Sequence, residues 1–198
     1  MTANRERIVV SAGEQFRKRG FDDVTIADVM KAAGLTHGGF YGYFGSKEAL
    51  EAAVCERGVA DSVAAVDAVA ADGAGDEGAD PTPLLERFVR DYVSARHRDA
   101  PEDGCTVGAL ACDANRSAVE IQRIFASGIT GMAESLARLR QLDSPGEGEE
   151  RSSAPDFANL STMIGALTLA RAVADADPAL SETILEAARA HIASSASA

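Results

Sequence analysis

The stretch TIADVMKAAGLTHGGFYGYFGSKEAL, Thr25 to Leu50, decides how the rest of the chain is read. Thr25 stands three residues before Asp28, the spacing of a capping box at the start of a helix. Ile26, Val29, Met30 and Ala33 then recur at helical spacing and give that helix one apolar face. Gly34 is placed to end it in the left-handed conformation, with Leu35 closing the corner. Thr36 is positioned to cap a second helix reaching about Phe44, whose Phe40 and Phe44 form an inward i,i+4 pair. Two short helices around a glycine corner make a helix-turn-helix, a motif whose second helix fits the major groove of DNA.

With the phenylalanines assigned inward, His37, Gly38, Tyr41 and Tyr43 remain on the outward side. Gly38 and Gly39 each cost about 1 kcal/mol of helix propensity relative to alanine, which a close approach to another surface would justify. Ser46 caps the next helix and places Lys47 in its first turn, beside main-chain N–H groups suited to a phosphate.

At these residues the chain resembles the TetR family of bacterial transcriptional regulators. The matching features are RGF (Arg19–Phe21), Thr25, the AAGLT corner, the FYGYF run and SKEAL. Met30 departs from the small residue usual in the family at that place and implies a slightly different packing. The resemblance is close over about the first 50 residues and becomes one of helical layout beyond them. It implies an all-α fold with a three-helix DNA-binding domain at 1–46, joined by a long helix to an effector-binding and dimerisation domain at 47–198. It also implies a DNA-binding set of Thr25, Thr36, His37, Gly38, Tyr41, Tyr43 and Lys47, with Tyr43 and Lys47 on phosphates.

Composition agrees with a helical protein. All six prolines lie at or after Pro81, tryptophan is absent, and 46% of residues are hydrophobic. No run approaches the ~20 apolar residues of a membrane helix, and Arg5, Glu6 and Arg7 do not open a signal peptide. A cytoplasmic location is expected. Cys55, Cys105 and Cys112 have no paired spacing and read as reduced thiols. The net charge of −12 argues at first against nucleic acid, but it is unevenly distributed. Residues 1–50 carry seven basic against six acidic residues, while the remainder carries twelve against twenty-five. Salt screens so distant an acidity over about 8–10 Å.

Helical patterns cover most of the chain. The first, about Arg5 to Arg19, places Ile8, Ala12 and Phe16 on one stripe, and the long connecting helix runs from Ser46 to Asp72 with Gly58 as its one weak point. Glycine-rich acidic loops are expected at 72–82 and 143–154. Between them lie helices from Pro83 to about His97, from Cys105 to Cys112 and from Ser117 to Leu142. Phe157–Ala174 is apolar almost all round, so it is expected to be buried on two sides, and the last helix, from Asp177, carries one apolar stripe. A second copy of the chain would cover the second side, with Leu160, Ile164, Leu167, Ile184 and Ala188 at the dimer interface.

The function implied is that of a sequence-specific, homodimeric repressor of an inverted-repeat operator, released by a small-molecule effector that changes the spacing of the two reading heads. Phe88, Tyr92 and Phe125 are core residues that can also line an effector site. Cys105, after Gly104 at a helix start, offers the alternative of a thiol switch, set against that of an ordinary buried cysteine. No catalytic signature or paired metal-ligand spacing appears, so neither an enzyme, a metal site nor a cofactor is expected. An all-α enzyme would need a titratable cluster that the sequence lacks. A helical adaptor that uses the same motif on protein would differ in failing to bind DNA.

Overall fold

The computed structural model describes residues 3–72, 82–143 and 154–196. The loops expected at 72–82 and 143–154 fall almost wholly outside them. Among the described residues there are nine α-helices and no strand: α1 Ala3–Arg19, α2 Ile26–Ala32, α3 Lys47–Asp72, α4 Leu84–Tyr92, α5 Ala95–Asp99, α6 Thr106–Ala114, α7 Val119–Asp143, α8 Phe157–Val173 and α9 Pro178–Ala196. Short 3-10 segments occupy His37–Gly42 and Pro101–Asp103. The chain forms two compact units, Met1–Asp61 with Ala100–Gly128 and Ser62–Asp99 with Ile129–Ala198. Compactness thus divides the chain differently from the functional boundary expected after residue 46.

In the first unit, Ile8, Ala12 and Phe16 of α1 are fully buried and meet Met30, Phe40 and Leu50 in one small core. Phe21, just past the end of α1, folds back so that its ring lies edge-on to Phe16, centroids 5.2 Å apart. The capping box forms: the Thr25 hydroxyl accepts from Asp28 N–H at 3.2 Å, and Asp28 accepts from Thr25 N–H at 3.0 Å. Gly34 ends α2 at φ 67°, where a side chain would be strained, and Leu35 N–H returns to the Met30 carbonyl at 2.8 Å. Gly58 is required for another reason. A Cβ there would lie 2.2 Å from the Thr106 hydroxyl, so its absence lets α6 pack against α3.

Two local expectations are corrected here. The second helix of the motif winds as a 3-10 segment, with Gly39 N–H on the Thr36 carbonyl and Tyr43 N–H on that of Phe40. Thr36 occupies the cap position but its side chain makes no capping bond. Gly38 and Gly39 supply the reason, since paired glycines near the start weaken α-helical winding.

In the second unit, the helix expected from Pro83 to His97 is broken at Val93, whose ψ of 69° is not helical. Ser94 then restarts the chain, donating to the Asp91 carbonyl at 2.8 Å and accepting from His97 N–H at 3.2 Å. Two carboxylates cap helices, Asp143 from a distance and Asp156 as the residue just before its helix. Asp143 accepts from Leu84 and Leu85 N–H at 2.6 and 3.0 Å, and the buried Asp156 caps α8 while pairing with Arg140 at 3.1 Å. α8 and α9 pack on each other. Ser181, fully buried, donates to the Ala170 carbonyl across that contact at 2.9 Å.

Candidate nucleic-acid interface

The reading surface follows from how the first core consumes the aromatic run. Phe40 and Phe44 stack inward with centroids 5.9 Å apart, and the Arg5 guanidinium covers Phe44 at 4.7 Å. What remains outward is Tyr41, 66% exposed, with exposed His37, Gly38 and Gly42 beside it. A Cβ at Gly38 or Gly42 would meet no heavy atom within 4 Å, so neither glycine is required by packing within the chain. Gly39 differs: its Cβ position lies 3.8 Å from the tip of the fully buried Met30, which fills the space beneath the segment.

The other expected contacts are held by the chain itself. Tyr43 is half-buried, and its hydroxyl accepts from the Asn4 side chain at 3.0 Å. Lys47 reaches back to donate to the Phe21 carbonyl at 2.6 Å and pairs with Glu51 at 3.6 Å. Its ammonium therefore points at the α1–α2 connection. Thr25 is exposed, but its hydroxyl is engaged with Asp28, whose carboxyl is held below the ordinary range by the Thr25 N–H and hydroxyl and by nearby Arg19. Thr36 is exposed next to His37.

A profile of bacterial regulatory proteins of the tetR family matches residues 8–54. Over that region the chain is similar to the TetR family. Among curated proteins, an HTH-type transcriptional regulator of Bacillus subtilis (strain 168), YdgC, is 43% identical over 47 residues, 24% of each chain. Another, YvdT of the same organism, is 43% identical over 51 residues, 26% of each chain. The chain thus aligns with about a quarter of these relatives' length. Solved structures extend the likeness in fold to nearly the whole chain. A TetR transcriptional regulator from Legionella pneumophila superposes with a TM-score of 0.76 at 22% identity, over 98% of both chains. The reduced form of E. coli NemR does so at 0.71 and 20% identity, over 96% of this chain and 95% of its own.

Away from the reading surface, the expected effector residues fall in both compact units. Phe88 and Tyr92 are buried in the second unit with ring centroids 5.7 Å apart, whereas Cys105 and buried Phe125 belong to the first. Cys105 is half-buried at the N-terminus of α6, its Sγ accepting from Gly108 N–H at 3.4 Å. In the second unit a cleft of 480 Å³ is lined by α4, the end of α7 and α9, and none of the four expected effector residues borders it.

The residues expected at the dimer interface differ in their exposure within the subunit. Leu160, Leu167 and Ala188 are interior residues of the subunit, at 2%, 0% and 8% exposure, because α8 and α9 turn these positions toward each other and the core. Phe157, Leu169 and Leu180 are exposed, and Ile164 and Ile184 are half-exposed.

Sequence patterns gave no sign of the ties from α1 to the Pro101–Asp103 segment. There Arg17 donates through Nε and Nη2 to the Glu102 carbonyl and Lys18 pairs with the Glu102 carboxylate at 2.8 Å. Among the described residues, no group of three His, Cys, Asp or Glu side chains is placed to hold a metal ion, and no helix is long and apolar enough to cross a membrane.

Proposed function

We propose that the protein is a sequence-specific DNA-binding transcriptional regulator that acts as a homodimeric repressor. The observation that carries this reading is the exposed segment of the helix-turn-helix, where His37 and Tyr41 stand outward on a rigid core and Gly38 and Gly42 beside them leave open space. A duplex seated in that space would meet side chains for base contact and main chain for close approach. The domain reading keeps residues 1–46 as the DNA reader and 47–198 as the effector-binding and dimerisation part. The exposed apolar side of α8 and α9, with Phe157, Leu169 and Leu180, supports pairing with a second copy. Two heads about 34–36 Å apart would then enter successive major grooves of an inverted repeat. A small-molecule effector that prefers another spacing would release the DNA by population shift, limited by its differential affinity for the two states.

The test is selection of bound duplexes from random and genomic fragments by the full chain at low salt. Enrichment of an inverted repeat, bound as a dimer with steep salt dependence, is expected. Enrichment no better than random duplex would end the regulator reading and favour a protein partner for the motif.

A second reading concerns sensing. Cys105 Sγ, half-buried, caps α6 by accepting Gly108 N–H. The fold likeness to a protein solved in a form described as reduced, E. coli NemR, fits a redox role at low identity. Exposure of operator-bound protein to N-ethylmaleimide or peroxide would then release wild type but not Cys105→Ser. Equal behaviour of the two proteins leaves a non-covalent effector.

A further inference from the structure

The cleft in the second unit has a composition unlike the surface of a chain that carries a net −12. Its floor is apolar, formed by Leu85, Val89 and Ile192, which are nearly inaccessible at 1–3% exposure. Pro83, Ala190 and Ala193 form apolar walls, and three guanidinium groups, Arg90, Arg140 and Arg189, stand at the rim. The acidic residues that line it are Glu86 and Asp143. Asp143 already accepts two main-chain N–H groups of α4, one on each oxygen.

Arg140 and Arg189 are anchored without being saturated. Arg140 is held by the buried Asp156 through Nη1, and its side chain is still 37% exposed. Arg189 is held by the Val93 carbonyl through Nη1 at 2.7 Å and by Glu182 through Nη2 at 3.4 Å. A guanidinium has five N–H donors, so each retains donors for another acceptor in an orientation already fixed by the first. Fixed orientation removes part of the ordering cost of binding. The cleft's 480 Å³ lies within the ~300–1,000 Å³ usual for small-molecule sites.

We propose that this cleft binds an amphipathic monocarboxylate, its carboxylate on Arg140 and Arg189 and its hydrocarbon body along the apolar floor and walls. Single charge is part of the proposal. Asp156 and Glu182 already pair with Arg140 and Arg189, and Glu86 lines the cleft, so a second negative charge on the ligand would meet acidic neighbours. A cation would lose the guanidinium contacts, and a neutral alcohol would lack the charge-assisted, two-pronged hydrogen bonding that arginine gives a carboxylate. As a binding site the cleft stands apart from DNA reading; as the effector site it rests on the regulator reading above.

The experiment is calorimetric titration of the full chain with octanoate, octanol, octylammonium and the dicarboxylate suberate as probes. Octanoate is expected to bind saturably, one per chain, and at least about tenfold more tightly than the other three. Ala190→Trp, which fills the cleft from an exposed wall position, should abolish the binding without lowering the melting temperature. Arg140→Met would strand the buried Asp156 and risk misfolding, so Arg140→Lys is the better variant. It retains a cation for Asp156 but loses the planar fork, and should weaken octanoate about tenfold or more. No saturable octanoate binding would overturn the proposal. Binding undiminished by Ala190→Trp, or octanol equal to octanoate, would do the same. These measurements need no operator, so their failure is distinct from failure to select DNA.

Discussion

The Lys47 ammonium donates to the Phe21 carbonyl at 2.6 Å, which ties the first turn of α3 to the connection between α1 and α2. A basic residue at that position reads from sequence as a phosphate contact; here it braces the reading head. Lys47→Ala is therefore expected to lower stability by about 1–2 kcal/mol, the range for a partly exposed charged hydrogen bond, seen as a lower urea midpoint. The salt slope of operator binding should change by less than one unit. Unchanged stability with a slope about one unit shallower would instead mean that the lysine leaves Phe21 for a phosphate.

Gly42 supplies the complementary case, a residue that the chain does not need. Its Cβ position is open and its backbone carries no left-handed strain, so Gly42→Ala should fold with an unchanged or slightly higher melting temperature. Operator affinity should fall about tenfold or more if the duplex occupies that space, as gel-shift titration would measure. Equal affinity in the two proteins would remove Gly42 from the interface.

These two residues mark what was legible in the sequence. Thr25 with Asp28, Gly34 after α2, and Phe40 with Phe44 act over three to five residues, and local spacing is enough to predict them. Lys47 meets Phe21 across 26 positions, and Arg17 meets Glu102 across 85. No periodicity encodes such pairs. The same limit applies to the α8 face, because a helix apolar nearly all round gives no phase. Leu167 and Leu169 look alike in sequence, yet one is fully buried and the other 60% exposed. Phe88 and Tyr92 fall in one compact unit and Phe125 and Cys105 in the other, a division that local spacing does not encode.

His97 gives a pH dependence with a definite sign. Burial, with a contribution from Arg171, holds its pKa below the usual 6.5, against the opposing hydrogen bond to the Tyr92 carbonyl. The folded protein thus keeps the ring neutral where the unfolded chain would protonate it. Stability from this residue is present above about pH 6.5 and is lost as the pH falls through the lower folded value. Urea midpoints of wild type should drop more steeply below pH 6.5 than those of His97→Asn. Parallel pH profiles would contradict the assignment.

The cysteines should separate by reactivity. Cys55 is fully buried, and burial first, then Glu51 and Glu56, raise its thiol to about 12. Cys112 is exposed. Brief treatment of native protein with N-ethylmaleimide near neutral pH should label Cys112 and spare Cys55, which reacts only after denaturation. Mass analysis of peptides from timed quenches reads both. Early labelling of Cys55 would show that the first unit opens on that timescale.

The two leucines of α8 provide the sharpest test of the proposed dimer. Leu167 is fully buried within the subunit, so Leu167→Ala should cost about 2–5 kcal/mol through the cavity it leaves. A charge at that position should prevent folding altogether, and so would say nothing about association. Leu169 is 60% exposed, on the side of α8 away from Leu167. In an isolated subunit Leu169→Glu should be nearly neutral, within about 0.5 kcal/mol. In a dimer built on that face, each copy would bring a carboxylate into an apolar contact where it has no partner. Sedimentation should then show wild type as a dimer at micromolar concentration and Leu169→Glu as a folded monomer with native helicity. Operator affinity of the variant should fall steeply, because a single head keeps only half of the contacts. A wild-type monomer, or a Leu169→Glu protein that still sediments as a dimer, would place the self-association surface elsewhere.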